Sequence, residues 1–218
     1  MKKIEYSEDY CKWLRLARND LKASMILYKE KLFPQSFYLL CQALEKTSKG
    51  LLLTLKMINT GKEIGHYVKA AFLIANSREY HRIIKNKTLM KELDKKRPIL
   101  ETDFKKMDLL LSKLPKLEDW NESNMPFCCF VRRYALLHMD YALACIGPMA
   151  EFIPSQETFR YPEYNPDETY TEEYPLKKYY WKIYDHLNKS IDIIENIFLK
   201  LLKMKFSVKK YPECYRAI

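Results

Sequence analysis

Glycine is nearly missing: 4 residues of 218, about 2 % where a typical chain has roughly 7 %. Neither a GxGxxG string nor a Walker A loop occurs, so a glycine-turned βαβ nucleotide fold is excluded. Histidine is scarce as well, with His66, His81, His138 and His186 the complete set of 4. None sits at zinc-finger spacing from a cysteine pair, and no HExxH, GxSxG or aspartate-rich metal loop is present, so no metal or cofactor is expected. No apolar run of eighteen residues occurs, which argues against a membrane-spanning helix. The opening Met1-Lys2-Lys3-Ile4-Glu5-Tyr6 turns acidic without an apolar stretch, unlike a secretory signal. The 6 cysteines (Cys11, Cys41, Cys128, Cys129, Cys145, Cys214) include no CxxC pair, and read as free thiols in a reducing cytoplasm.

What is present is helix-forming material and positive charge. Apolar residues make up 48 % of the chain and the net charge is +10. The charge is uneven. Residues 85–116 carry ten Lys/Arg against five Asp/Glu, residues 151–175 one against seven, and residues 177–210 nine against three. A basic body with one acidic segment attracts polyanions and partly screens itself.

Apolar spacing of three and four residues organises most of the chain. Tyr10, Trp13, Ala17, Leu21, Ser24 and Tyr28 form one stripe, predicting a helix from a cap near Ser7 to about Leu32. Pro34 suits the first turn of a second helix, whose stripe Phe37, Leu40, Leu44, Leu51, Leu55 and Ile58 runs to a stop at Asn59-Thr60-Gly61. His66 heads a third helix with Val68, Ala71, Phe72 and Ala75 inward. Leu89 and Leu93 mark a short helix, Arg97-Pro98 interrupts, and Glu101 to Leu114 forms another. Residues 115–126 read as a linker centred on Asn121-Glu122-Ser123-Asn124.

After Pro126 comes a strongly apolar helix with Phe127, Phe130, Tyr134, Leu137, Tyr141 and Cys145 on one side, weakened or ended at Gly147-Pro148. Residues 152–176, with four prolines and tyrosines at 161, 164, 170 and 174, suit an irregular excursion. A final helix over 176–205 shows a heptad seam of Tyr180, Tyr184, Leu187, Ile191, Ile194, Phe198 and Leu201. The expected fold is all-α: an up-and-down helical bundle, one domain over 1–218, with a Lys-rich helical insertion and a Tyr/Pro-rich loop before a long C-terminal helix.

Chemistry concentrates in Phe130-Val131-Arg132-Arg133-Tyr134-Ala135-Leu136-Leu137-His138-Met139-Asp140-Tyr141. Arginines in an apolar helix pair with acids, or reach an interface or a ligand. Arg133 and His138 lie roughly 140° apart around the axis and about 7.5 Å along it, so one helix does not bring them together. Two copies facing across a dyad can.

Three strings then coincide: Ala17-Arg18-Asn19-Asp20-Leu21-Lys22-Ala23, Gln42-Ala43-Leu44-Glu45-Lys46-Thr47-Ser48-Lys49-Gly50-Leu51, and Gly65-His66 at the next helix. Over residues 13 to about 75 this resembles the HEPN superfamily (higher eukaryote and prokaryote nucleotide-binding helical domains), whose pattern continues with Arg-x(4–6)-His. Arg133-x4-His138 and Arg132-x5-His138 both fit that continuation. The resemblance implies a homodimeric, metal-independent endoribonuclease without cofactor, in a toxin, abortive-infection or RNA-processing role. Its partners would be RNA and an antitoxin or companion nucleotidyltransferase. His138 would be the general acid or base and Arg133 the phosphate clamp, with Arg132, Tyr134 and Glu45 supporting. Glu45 serves equally as a salt-bridge residue, Lys46 and Lys49 read as solvated, and His66 as a capping or packing residue. The alternative is a non-catalytic member that binds nucleotide, RNA or a protein partner.

Overall fold

The computed structural model describes residues 9–55, 57–58, 60–69, 71, 83, 85–119, 127–154, 157–160 and 166–207, leaving aside the side chains of 9, 117, 127, 128, 131, 132, 157, 160, 166 and 197–207. Several expectations fall outside that set. They are the cap at Ser7, the stop at Asn59, the inward Phe72 and Ala75, the 121–124 linker centre, Cys128, Cys214, His81, Tyr161 and Tyr164, and the side chains of Phe127, Arg132, Phe198 and Leu201.

In chain order the helices are α1 (Asp9–Lys29), α2 (Phe33–Thr54), α3 (Lys87–Leu93), α4 (Glu101–Ser112), α5 (Phe127–Phe152), the single turn α6 (Glu157–Arg160) and α7 (Pro175–Ser207), with 3-10 turns at Leu117–Asp119 and Pro166–Tyr170. No strand occurs among the described residues. None of their helices is long and apolar enough to cross a membrane.

α1 and α2 form an antiparallel hairpin, and its corner has a specific cause. Lys31 takes a left-handed conformation (φ 61°). Around it the Leu32 N–H donates to the Leu27 carbonyl at 2.9 Å and the Lys31 N–H to that of Tyr28 at 3.1 Å. That pair of bonds is a Schellman stop. It ends α1 at Lys29 rather than at Leu32. α2 then opens on Phe33 with Pro34 in its first turn, as the sequence implies, and ends at Thr54, short of Ile58.

The α1 stripe is buried as expected, with Leu14 joining Tyr10, Ala17, Leu21 and Ser24 while Trp13 and Tyr28 are half-covered. Small polar residues let the two helices approach α7. The Ser24 hydroxyl donates to the Ser36 carbonyl at 2.8 Å, the Ser36 hydroxyl returns the bond to the Ser24 carbonyl at 2.9 Å, and the Tyr180 hydroxyl sits 2.8 Å from Ser24 Oγ. Because Ser24 spends its proton on a carbonyl, Tyr180 is the donor in the third bond. Each buried hydroxyl of the knot is satisfied, so it fixes register without a desolvation penalty. Tyr180 also stacks on Tyr28 with ring centroids 3.7 Å apart, beside Phe33 and Phe37.

α5 lies against α7, α4 and α2. It passes straight through Gly147-Pro148 to Phe152, correcting the expected break. An interior proline costs about 3 kcal/mol or more. Here the turn beyond it is anchored: Met149, Ala150, Phe152 and Ile153 are buried, Lys96 Nζ donates to the Ala150 carbonyl at 2.8 Å, and Arg97 Nε to Glu151 at 2.7 Å. A single buried cluster runs from Tyr10 through Phe104 and Ile146 to Ile194, joining the two ends of the chain. In α7 the seam is real: Tyr180, Leu187, Ile191 and Ile194 are buried and Tyr184 is half-buried. The segment expected to be irregular holds the α6 turn and the 3-10 turn at Pro166–Tyr170.

Candidate functional site

α5 carries the principal candidates. His138 is buried, with 6 % of its surface exposed. Its Nδ1 lies 2.8 Å from the Tyr134 backbone carbonyl, one turn back. A carbonyl only accepts, so Nδ1 carries the hydrogen and, in the neutral ring, Nε2 holds the lone pair. The Tyr134 ring covers the imidazole at a centroid distance of 3.9 Å with the planes 32° apart. Burial, followed by the charge of Glu118, raises the Tyr134 phenol above its ordinary value, so it stays protonated. Tyr134 thus fixes both the tautomer and the tilt of His138.

Arg133 is exposed. The five-residue separation places it well round the helix from His138, so a single chain does not bring the two together. Arg132 belongs to the same turn, and its side chain lies outside the described residues. Of the expected α5 stripe, Phe130, Tyr141 and Cys145 are buried and Tyr134 half-buried, but the buried arc extends further round the helix and leaves Leu137 out. Ala135, His138, Met139 and Ala142 point inward, whereas Leu137 is 37 % and its neighbour Leu136 56 % exposed. Leu136, Arg133 and Asp140 form the outer face of this half of α5.

Glu45 belongs to a different place. Its carboxylate accepts from Lys49 Nζ at 2.5 Å and lies 2.8 Å from His66 Nδ1. Lys49 is itself buried and its ammonium sits 4.9 Å from the Trp13 ring centroid. Lys46 pairs with Asp20. Neither lysine is the solvated residue the sequence suggested: each neutralises a carboxylate that α1 or α2 would otherwise bury alone. Glu45 and His66 line a small pocket with Cys41, Lys96, Ala150 and Ile153. Ala150 is twelve residues beyond His138, about 18 Å along the helix. Of its two readings, Glu45 takes the salt-bridge one. It sits at the opposite end of α5 from the arginines and does not support them.

A second buried histidine was not singled out in the sequence. His186 of α7 places Nδ1 2.9 Å from the Tyr141 hydroxyl of α5 and Nε2 3.1 Å from Asp108 of α4. Since the carboxylate accepts, Nε2 carries the hydrogen and Tyr141 donates to Nδ1. Burial depresses the His186 pKa, against the pull of Asp108 and Asp185. Burial also pushes the Cys145 thiol, which hydrogen-bonds Tyr141, up to about 12. This thiol is therefore inert. Tyr141, placed by spacing on the apolar side of α5 with Tyr134, meets His186 there. The available signal was a second α7 stripe, Ile183, His186, Ser190 and Ile193, beside the heptad seam.

Of the cysteines described, Cys41 and Cys145 are buried, Cys11 is partly covered, Cys129 is exposed, and none of the four is in a disulfide. No group of three or more His, Cys, Asp or Glu suited to a metal ion occurs among the described residues.

Residues 10–98 match the family model of the HEPN domain. The match takes in α1, α2, Glu45, His66 and α3, covers less than half of the chain, and ends before α4; Arg133 and His138 lie beyond it. No curated protein and no solved structure matches the chain.

Proposed function

We propose, taking the HEPN match over residues 10–98 as premise, that the protein is a metal-independent endoribonuclease that acts as a homodimer through α5. The observation that carries this reading is the tautomer of His138. With Nδ1–H held by the Tyr134 carbonyl, Nε2 is the nitrogen able to take a proton. Removing the proton of a ribose 2′-OH there lets that oxygen attack the adjacent phosphorus. The 5′-oxygen departs with a proton returned to it, leaving a 2′,3′-cyclic phosphate. Arg133 supplies the guanidinium that offsets charge growing on the phosphate oxygens. Because Arg133 and His138 do not meet on one helix, the working site takes Arg133 from one protomer and His138 from its partner, and it requires α5 to uncover the His138 ring, which is buried in the single chain. The exposed Leu136 gives the two α5 helices an apolar seam. A toxin, abortive-infection or RNA-processing role, and an antitoxin or nucleotidyltransferase partner, follow from the family rather than from these residues.

The burial of His138 favours a second reading: a non-catalytic HEPN-fold protein in which His138 packs the core and Arg133 meets nucleotide, RNA or a partner protein. One experiment separates them. The purified protein is incubated with end-labelled single-stranded RNA in EDTA beside His138→Ala and Arg133→Ala. Cleavage that yields cyclic phosphate ends and disappears in both variants supports the enzyme. Cleavage unchanged in His138→Ala, or no cleavage by a confirmed dimer, supports the second reading.

A further inference from the structure

The outward side of α1 carries a row of cations. Lys12, Arg15, Lys22 and Lys29 are all exposed and fall within an arc of about 100° along some 25 Å of helix. Arg15, Lys22 and Lys29 repeat at seven-residue steps, about 10 Å apart. None of the four makes an ion pair among the described residues, and α1 carries no acid within that arc. Three of the neighbouring acids are already neutralised, and Glu30, just past the end of α1, is exposed. Arg18, at the border with α7, holds Asp192 at 2.7 Å and Glu195 at 2.6 Å, while Asp20, at the border with α2, pairs with Lys46. The four cations of the stripe are therefore unpaired among the described residues, although Arg18 one turn away shows that the fold can supply acids where a cation needs one.

The stripe ends beside an exposed aromatic. Trp181 of α7 is 44 % exposed. It packs edge-on against Tyr28, the residue before Lys29, at 5.6 Å, and against Tyr184 at 5.9 Å. Tyr180 also meets it edge-on at 5.3 Å, and a tryptophan held by three rings yet open to solvent is a ready stacking platform. We propose that the outer face of α1, with Trp181 at its end, binds single-stranded RNA: phosphates follow Arg15, Lys22 and Lys29, and a base stacks on Trp181. The combination of spaced cations and one open aromatic fits a single strand, whose phosphates are accessible and whose bases are unstacked. A lipid surface is the poorer fit, because the exposed apolar groups here, Ile26 within the stripe and Leu16 at its border, are two isolated side chains rather than a continuous face. This inference rests on the RNA-directed reading above but not on the chemistry at His138.

The test reads binding apart from cleavage. A fluorescent 2′-O-methyl oligouridine, which lacks the attacking hydroxyl, is titrated into the full chain across a series of KCl concentrations. On a single strand, each phosphate neutralised by a cation adds about 0.7 to the steepness of log K against log salt. The quadruple variant Lys12→Gln, Arg15→Gln, Lys22→Gln, Lys29→Gln should make that slope shallower by about 3. Trp181→Leu should weaken binding roughly five- to 150-fold on the single strand and leave duplex RNA unaffected, with Trp181→Phe largely restoring it. Circular dichroism melts confirm that the variants fold. If the parent binds and the quadruple variant keeps its slope, the α1 face is refuted while the nuclease reading stands. If the parent ignores the oligonucleotide, or binds phosphatidylserine vesicles through the same lysines instead, the inference also falls. Cleavage of unmodified RNA then reports on the nuclease separately.

Discussion

Replacing His186 tests how three helices are held together. Its ring is covered on all sides that matter: Tyr141 from α5 at Nδ1, Asp108 from α4 at Nε2, and the Phe104 ring stacked 6.3 Å away. In His186→Phe the shape is largely kept, but the buried Tyr141 hydroxyl loses its imidazole acceptor and keeps only the weak Cys145 sulfur as a partner. A buried polar group left unsatisfied costs about 1–3 kcal/mol, which for a chain of this size lowers Tm by roughly 2–12 °C. Adding Tyr141→Phe removes the stranded hydroxyl, so the double variant should regain part of that stability. The pH dependence has a definite sign. Burial holds the folded-state pKa of His186 below its ordinary value, and the opposing attraction of Asp108 is weak because that carboxylate is 61 % exposed. Of the other groups facing the ring, Lys182 lowers it further and Asp185 raises it, while Tyr141 and Cys145 stay protonated because burial raises both. The unfolded chain therefore binds this proton first. Stability contributed by neutral His186 is complete above the unfolded pKa of about 6.5 and is lost as pH falls from there toward the folded value. Urea unfolding at pH 7.5 and pH 5 should show a larger drop for the parent than for His186→Phe. Equal drops, or a His186→Phe variant as stable as the parent, would refute the hydrogen-bonded role.

Further outcomes follow from the same geometry. At Lys31, whose φ is 61°, substitution by glycine relieves left-handed strain of about 1–2 kcal/mol against a glycine entropy cost of about 0.5–1, so Lys31→Gly should unfold at slightly higher urea. A Cβ on Gly61 would lie 2.7 Å from the Trp13 indole, so Gly61→Ala should destabilise by about 1–3 kcal/mol, visible as a lower Tm and a change in tryptophan fluorescence. Asp103 is buried, yet bidentate bonds from Arg97 at 2.9 Å and the Leu100 N–H hold its pKa below the ordinary carboxylate value. Its stability contribution is present above pH 4 and fades as pH falls through the depressed folded value. Arg97→Ala should remove that acid sensitivity along with the tie to Glu151, as read in acid titrations followed by circular dichroism.

The helices were legible in the sequence because three-and-four spacing is a direct projection of the core. The stripes of α1, α2 and α7, the start of α2 at Phe33-Pro34, the short α3 and the interruption at Arg97-Pro98 all follow from that signal. Three boundaries were not. α2 ends at Thr54, short of Ile58, α1 stops three residues early because Lys31 adopts a left-handed cap that no glycine announces, and α5 continues through Pro148 because tertiary anchors outweigh a local breaker. Charge pairing was the least legible feature. Lys49 looks like a surface lysine in one dimension, and only the fold shows that it shares Glu45 with His66.

The site candidates divide along the same line. Tyr134 supporting His138 is an i, i+4 relation that spacing alone supplies, and the structure pairs their rings. Glu45 supporting the arginines required a contact between helices, for which spacing carries no information, and the fold puts Glu45 elsewhere. α5 therefore works as a rod with separate stations. Its C-terminal turn is tied by Lys96 and Arg97, its middle by Tyr141 to His186, and its first half presents Arg133 and Leu136 outward. The two tied stations fix the rod's position and rotation. Rotation decides what the first half can do, since a turn of 100° would bury Arg133 and expose His138. Loosening the middle station by Tyr141→Phe should consequently alter exposure of the His138 ring while leaving its own Tyr134 bond in place. Diethyl pyrocarbonate modification of His138, followed by mass spectrometry, reads this directly. Faster modification in Tyr141→Phe than in the parent is expected, and equal rates would show that the first half of α5 is positioned independently of His186.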